Sequence, residues 1–192
     1  MAYEAKDFSQ LIGLDGFSEE LLTTHFGLYE GYVKNTNKLI EQLADKNLVS
    51  PEWDELKRRF GWEFNGMRLH ELYFENMTKE ESSCKEECPE LIRQMDADFG
   101  VKEHSWKEDF IATGSMRGIG WTVLYLDLSS KRLFNTWVNE HDVGHLSGCT
   151  PLLVMDVFEH AFVMDYGMKR ADYIEAFFNA IDWSVVNNRF KV

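Results

Sequence analysis

Hydrophobic positions in the first part of the chain recur with a helical period. The apolar residues between 19 and 46 that share one helical face are Leu22, Phe26, Tyr29, Val33 and Ile40. A second long helix is predicted to begin at "SPEW", where Ser50 can cap the first turn and Pro51 stands at the first helical position. We expect this helix to continue to about Met77, with a break near Gly61 or Gly66. The two segments together predict an antiparallel helix pair.

The remainder of the chain carries shorter periodic segments. "CPELIRQMDADFG" and "SWKEDFIATGSM" each predict a helix, ended by Gly100 and Gly114 respectively. After Gly120, "WTVLYLDL" and "RLFNTWVN" are rich in β-branched and aromatic residues and flank the turn "SSK", which predicts a hairpin. "PLLVMD" predicts a buried strand after the polar loop "NEHDVGHLSGCTP", and "RADYIEAFFNAIDW" predicts an amphipathic helix that closes the chain. Helices, a small antiparallel sheet and further helices, in this order, predict an α+β fold.

Charge narrows the functions that this fold can serve. The formal net charge of −13 argues against binding to nucleic acid, which needs a basic surface, and to anionic membranes. An anionic substrate would need a local positive focus, such as a metal ion. Because no apolar run is long enough to span a bilayer and "MAYEAKDFSQ" resembles neither a signal nor a transit peptide, we expect a cytoplasmic protein.

The three cysteines form no recognisable framework. Cys84, Cys88 and Cys149 are an odd number without a repeating spacing, which argues against structural disulfides. Cys84 and Cys88 stand one helical turn apart among Glu residues in "CKEEC", a setting typical of solvated, reduced thiols. The sequence lacks the second Cys pair that would complete a zinc site.

Ionisable residues in apolar surroundings are the clearest chemical signal. "LLVMDVFEHAFVMDYG" carries Asp156, Glu159 and His160 inside a hydrophobic run, where ionisable groups are costly unless they are paired. His25 and His70 lie in the middle of the two predicted long helices, with apolar neighbours one turn away, and are expected to point inward. For either histidine alone, a hydrogen-bonded core residue is the favoured interpretation. Together with Asp156 and His160 they favour a metal site, because one ion satisfies all four groups.

The types of ligand restrict the metal. Three imidazoles and one carboxylate without a thiolate suit iron, manganese or zinc. A carboxylate-bridged di-iron centre needs two Glu-x-x-His motifs, which the sequence lacks. His104 lies in the charged "KEHSWKED" and is expected to be exposed, while Asp142 and His145 in "DVGH" are a weaker alternative source of ligands.

Four sequence blocks resemble the iron/manganese superoxide dismutase family, and the resemblance runs through nearly the whole chain. "HFGLYEGYVKNTN" is similar to the first helix of the family, "FNGMRLHELYF" to its second ligand segment and "GIGWTVL" to its Gly-x-Gly-Trp strand. "PLLVMDVFEHAFVMDYG" followed by "RADYIEAFFNAIDW" is similar to the family signature. The Asp-x-x-Glu-His-Ala motif after a Pro-Leu-Leu strand is specific, and the blocks occur in the family's order.

The resemblance implies a fold, a reaction and a cofactor. The fold would be an N-terminal α-hairpin domain over residues 1–82 and a C-terminal α/β domain over residues 83–192. Each domain would supply two ligands to one Fe or Mn ion per subunit. The reaction would be the dismutation of superoxide to oxygen and hydrogen peroxide by redox cycling of this mononuclear ion, in a homodimer. The implied ligands are His25, His70, Asp156 and His160.

The resemblance also implies roles for residues around the metal. Tyr32 would gate the substrate channel and join the proton relay. His141 would hydrogen-bond the metal-bound solvent, and the alternative for His141 is an exposed loop residue. Trp121 would line the metal pocket, a position that is equally compatible with plain strand core. Glu159 would reach across the dimer interface to the ligand histidine of the partner subunit and orient it.

Departures from the family pattern surround the site. Leu28 and Tyr29 occupy positions where the family usually has a His-His pair, and Val163 replaces a Tyr that links to a His across the dimer. Trp is common at three further positions, which here hold Phe74, Val123 and Phe158. These departures leave two alternatives open: a metal-binding family member with peroxidase-like or iron-handling activity, and a non-catalytic interaction protein. The choice between Fe and Mn is open as well, because both take the same ligands.

Overall fold

The computed structural model describes residues 2–45, 48–100 and 105–191, so His104 lies outside the described residues. Within them the chain forms eight α-helices and one three-stranded sheet. The helices are α1 (Glu19–Asp45), α2 (Pro51–Glu75), α3 (Cys84–Glu87), α4 (Pro89–Phe99), α5 (Trp106–Gly114), α6 (Val163–Tyr166), α7 (Arg170–Asn179) and α8 (Trp183–Phe190). The strands are β1 (Gly120–Asp127), β2 (Leu133–Asn139) and β3 (Cys149–Asp156). These elements confirm the predicted α+β class.

Helices α1 and α2 form the predicted antiparallel pair. Asn35 Nδ2, late in α1, donates to Glu63 in the middle of α2 at 3.2 Å. Earlier in α1 the ring of His25 lies 4.9 Å from that of Phe74, near the end of α2. Residue numbers therefore increase along α1 in the direction in which they decrease along α2, so the two helices are antiparallel. His25 lies beside the last turns of α2.

Helix α2 begins at the predicted cap and continues without interruption. The Ser50 hydroxyl accepts a hydrogen bond from Trp53 N–H, and Pro51 occupies the first helical position. The expected break near Gly61 or Gly66 is wrong, since the helix is continuous from Pro51 to Glu75. A helical Gly costs only about 1 kcal/mol relative to Ala, which packing against α1 outweighs.

Strand β1 is the centre of an antiparallel sheet with the order β2-β1-β3, as the hairpin prediction requires. Its residues from Gly120 to Leu126 are buried, so both of its faces are covered. The register between β1 and β3 places Trp121 opposite Asp156. The last residue of β3 therefore carries its carboxylate into the space between the sheet and the helix pair.

The end of the chain differs from the predicted single closing helix. Helix α7 ends at Asn179, and a second helix, α8, begins after Asp182. The Asp182 carboxylate accepts a hydrogen bond from Ser184 N–H at 3.0 Å and so caps α8. Between the helices, the Ala180 carbonyl accepts a hydrogen bond from Thr78 N–H at 2.8 Å. This hydrogen bond to the segment after α2 holds residues 180–182 in a non-helical conformation between α7 and α8.

The cysteines are free thiols, but one of them is not solvated. Cys88 is fully buried, and its Sγ donates to the Cys84 carbonyl at 3.1 Å. The expected solvated setting is therefore wrong for Cys88. This residue lies between α3 and α4, and its side chain is packed into the core. Among the described residues, none of the helices combines the length and the apolar character that a bilayer-spanning segment requires.

Candidate metal centre

Four side chains from distant parts of the sequence meet between the helix pair and the sheet. His25 comes from α1, His70 from α2, Asp156 from the end of β3 and His160 from the short 3-10 turn that follows it. Their potential ligand atoms all lie within 4.8 Å of one another. His25, His70 and Asp156 are buried, and the His160 side chain is 27% exposed. The structure thus assembles the four residues that the sequence indicated, in a group that can hold a metal ion.

The three imidazoles converge on a single carboxylate oxygen. Asp156 Oδ2 lies 3.2 Å from His25 Nε2, 3.1 Å from His160 Nε2 and 3.7 Å from His70 Nε2. The other oxygen, Oδ1, accepts a hydrogen bond from Phe158 N–H at 2.8 Å, which fixes the orientation of the carboxylate. Four donor atoms that face a common point are the arrangement expected of a ligand set.

The orientation of His70 leaves a lone pair directed at this point. Its Nδ1 lies 2.6 Å from the Gly66 carbonyl, which can only accept, so Nδ1 carries the ring proton. Nε2 is then unprotonated in the neutral ring, and it is buried without a hydrogen-bond partner. A buried acceptor without a partner is unfavourable, and a cation bound at this atom would relieve it.

The ionisation states of these groups also suit a cation. Burial lowers the pKa of His25 and lowers that of His70 well below its usual value, so both rings are neutral at pH 7. Burial opposes ionisation of Asp156, but the neighbouring His160 and His25 outweigh it and hold its pKa below the usual range. A buried carboxylate beside neutral imidazoles is the protonation state that a metal requires. The residues therefore fit an iron or manganese ion.

Tyr32, His141 and Trp121 form a hydrogen-bonded chain beside the four residues. Trp121 Nε1–H donates to His141 Nδ1 at 3.0 Å, and Tyr32 Oη lies 2.7 Å from His141 Nε2. Because an indole only donates, Nδ1 is the acceptor and Nε2 carries the proton of the neutral ring. His141 therefore donates to Tyr32. His141 is fully buried, so the alternative of an exposed loop residue is wrong.

Burial keeps both members of the Tyr32–His141 pair neutral. It lowers the pKa of His141 to about 4, and it raises that of Tyr32 to about 12 with a further contribution from Asp156. The Tyr32 ring stacks on that of His70 with 5.1 Å between centroids, and the Trp121 ring meets His70 edge-on at 4.9 Å. The hydrogen-bonded chain is therefore in direct contact with the four-residue group.

Glu159 and the weaker ligand candidates lie outside this group. Glu159 is exposed and lines a surface cavity of about 380 Å³ together with Val163. Asp142 is exposed and does not belong to the group. His145 is directed away from it, because its two ring nitrogens contact Tyr125 Oη and the His141 carbonyl.

Gly66 is a functional position that the sequence interpretation missed. It supplies the carbonyl that orients His70, and a Cβ at this position would lie 2.5 Å from Cδ1 of Tyr32. Only glycine therefore lets the Tyr32 ring stack on His70. A glycine inside a helix, four residues before an inward histidine, is a signal that could have indicated this role.

Comparison with known proteins places the chain in a family. Residues 87–189 match the family model described as "Iron/manganese superoxide dismutases, C-terminal domain". A relative named an Fe superoxide dismutase, from Aquifex pyrophilus, is 36% identical over 98% of this chain and 91% of its own length. A relative named a Mn superoxide dismutase, from Haloarcula marismortui, is 37% identical over 91% of this chain and 85% of its own length. Because the family model spans more than half of the chain and these relatives align with nearly all of it, the chain belongs to the iron/manganese superoxide dismutase family.

Proposed function

We propose that this protein converts superoxide to oxygen and hydrogen peroxide, with one iron or manganese ion held in each subunit. The proposed ligands are His25, His70, Asp156 and His160. The observation that carries the proposal is the convergence of three imidazole Nε2 atoms on Asp156 Oδ2, one of them a buried acceptor without a partner. The names of the relatives, which include both Fe and Mn superoxide dismutases, support the same reaction.

Two superoxide anions and two protons give one oxygen and one hydrogen peroxide, so the chain has to deliver protons. The bound metal would supply the one-electron exchange with each superoxide in turn. We assign proton delivery to Tyr32. Because His141 Nε2–H donates to Tyr32 Oη, the hydroxyl hydrogen of Tyr32 is free to be donated to an anion. Its raised pKa of about 12 keeps the phenol protonated at neutral pH.

His141 and Trp121 would act by orienting the Tyr32 hydroxyl and stabilising its oxygen once the proton is given up. His141 Nε2–H stands 2.7 Å from Tyr32 Oη, and its hydrogen bond would stabilise the phenolate after the hydroxyl proton is given up, until solvent returns a proton to it. Trp121 holds His141 in the tautomer whose Nε2–H can donate to Tyr32 Oη. Phe158 stacks on both His141 and His160, at 4.8 and 5.1 Å between centroids, and excludes water from the space beside them.

We further propose that the protein is a homodimer in which Glu159 faces the ligand histidine of the partner subunit. Support comes from the surface around Glu159, where Val163 and Met168 are 40% and 93% exposed. These apolar side chains line the same cavity as Arg117, Arg170 and Glu159. A patch that contains apolar groups and both charges can pair with a second copy of itself about a two-fold axis.

Two further proposals concern organisation and location. We propose a division into an N-terminal domain over residues 1–82 and a C-terminal domain over residues 83–192; the match of the C-terminal family model, which begins at residue 87, supports it. We also propose a cytoplasmic location. The three thiols, which are free in the structure, suit a reducing compartment.

One experiment tests the function and separates it from the alternatives. The full-length protein is loaded with Fe or Mn, its metal content is measured, and its removal of superoxide is assayed. We expect about one ion per subunit and rapid dismutation, with metal retention lost in Asp156→Ala and kept in Asp172→Ala, which changes an exposed carboxylate. Bound metal without dismutation would instead favour a peroxidase-like or iron-handling protein. Failure to bind either metal would favour a non-catalytic one.

A further inference from the structure

We propose that His145 is a positioning residue that holds His141 in the geometry needed to donate to Tyr32. Its effect on turnover rests on the proposed function, whereas its effect on the geometry of His141 does not. The loop that carries both histidines, residues 140–148, connects β2 to β3.

Both ring nitrogens of His145 have a partner, although the residue is exposed. Nε2 lies 2.9 Å from the His141 carbonyl, and Nδ1 lies 2.9 Å from Tyr125 Oη. The carbonyl can only accept, so Nε2 carries the proton. In the tautomer that carries its proton on Nε2, Nδ1 accepts from the Tyr125 hydroxyl. His145 thus links the backbone of His141 to a side chain of β1.

The same strand holds His141 at a second point. Trp121 and Tyr125 are four residues apart in β1, and the register of β1 with β2 is unbroken across both, so their side chains project from one face. Trp121 Nε1–H fixes the ring of His141, while Tyr125, through His145, fixes its carbonyl. Two anchors on one rigid strand define both the position and the rotation of the imidazole.

The loop backbone is shaped to bring His145 back to His141. Asn139 N–H donates to the Val143 carbonyl at 2.7 Å, which closes a tight turn around His141. Gly144 has a φ of +107°, and a Cβ there would lie 2.6 Å from the Trp137 carbonyl oxygen. Glycine is therefore required between the turn and His145. The turn and Gly144 therefore give the loop a backbone conformation that brings the His145 imidazole back to His141.

Loss of His145 would leave the ring of His141 bonded to Trp121 and the turn closed by Asn139 and Val143, but it would remove the hydrogen bond that holds the His141 carbonyl. The bond between His141 Nε2 and Tyr32 Oη would then be made for a smaller fraction of the time. A net contribution of about 1 kcal/mol for one such hydrogen bond corresponds to a change of roughly fivefold. The expected effect is thus a weaker proton relay in a protein that still folds and binds metal.

The test compares His145→Ala, Tyr125→Phe and the double variant in the full-length chain labelled with ¹⁵N-histidine. In the metal-free protein we measure the rate at which the His141 Nε2 proton exchanges with solvent, and in the metal-loaded protein we measure kcat and KM. We expect roughly two- to tenfold faster exchange and a similarly lower kcat in His145→Ala, with KM and metal content unchanged. Tyr125→Phe should act in the same direction, and the double variant should match His145→Ala, because Tyr125 acts through His145.

Cys149→Ser is the matched control, since Cys149 lines the same cavity of about 220 Å³ as Tyr125 and His145. It should leave exchange and kcat unchanged. Unchanged exchange in a folded His145→Ala protein, or additive effects in the double variant, would overturn the proposal. If His145→Ala does not fold, Tyr125→Phe decides, and unchanged exchange there overturns it too. Faster exchange in His145→Ala, together with a metal-loaded wild-type chain that lacks dismutase activity, would refute the proposed function and leave the positioning role standing.

Discussion

Tyr32 Oη lies 2.7 Å from His141 Nε2, although the two residues are 109 positions apart in the chain. Trp121 fixes the tautomer of His141, so the direction of this hydrogen bond follows from the structure: the histidine donates and the tyrosine accepts. The hydroxyl hydrogen of Tyr32 is thereby left for a substrate anion.

Replacing Tyr32 with Phe should lower kcat about tenfold or more while leaving the metal bound. The change removes the proposed proton donor but keeps the ring that stacks on His70. Tyr29→Phe is the control, because Tyr29 Oη donates to Glu71 and takes no part in the hydrogen bonds of His141. Steady-state kinetics and metal analysis of both variants check the prediction. Equal kcat in the two variants would contradict the role of Tyr32.

Replacing Gly66 with Ala should displace the Tyr32 ring and lower kcat roughly tenfold. The added Cβ would lie 2.5 Å from Tyr32 Cδ1, a distance that forces the ring away from His70. Gly61→Ala is a matched control in the same helix, since a Cβ there meets no atom within 4 Å. It should keep full activity and gain up to about 1 kcal/mol of stability from helix propensity. Similar activity in the two variants would show that the close packing at Gly66 is not needed.

The metal-free protein should lose stability as the pH falls below about 6.5. The pKa of His141 is lowered to about 4, and those of His25 and His70 are lowered as well, so the unfolded chain binds protons that the folded chain does not. The free energy of unfolding is then at its full value above pH 6.5 and falls by about 1.4 kcal/mol per pH unit for each such histidine. For His141 the fall ends near pH 4. Urea unfolding between pH 8 and 5 measures it, and a smaller slope is expected in His141→Gln.

Arg59→Gln should reduce kcat/KM for superoxide, and the loss should shrink at high salt. The Arg59 guanidinium pairs with Glu63 at 2.6 Å, but its side chain is 55% exposed. It lies 5.2 Å from the ring centroid of Trp62, which itself packs 4.8 Å from the ring of His141. Because the chain has a net charge of −13, an exposed cation near Trp62 and His141 would attract an anion locally. Arg58→Gln makes the same charge change one residue away and should have a smaller effect. Identical salt dependence in the two variants would contradict a local role for Arg59.

Val163→Lys should weaken the proposed homodimer. Val163 is 40% exposed in the cavity that Glu159 and Arg170 also line, and a lysine there would place like charges together across a two-fold axis. Leu48→Lys adds the same charge at a position that is 68% exposed in the α1–α2 connection. Sedimentation velocity should show dissociation of the first variant at concentrations where the second stays dimeric. A monomeric wild-type chain would refute the interface itself.

Much of the fold and of the candidate site was accessible from the sequence. Periodicity predicted the helix pair, the hairpin and the buried strand, because each pattern is a local consequence of one face being covered. The same reasoning indicated His25, His70, Asp156 and His160, since ionisable groups in apolar segments need a partner. It failed at α8, where the capping carboxylate of Asp182 and the pairing of Ala180 with Thr78 break the helical path.

Tertiary structure alone decided how the parts of the site orient one another. The sequence by itself determined which residue types were available and that some of them had to be buried together. It could not show that three Nε2 atoms face one oxygen of Asp156, or that Gly66 gives the Tyr32 ring its space. Nor could it place His145 under the His141 carbonyl. These relationships depend on the packing of distant segments, and local periodicity carries no information about distances across the fold.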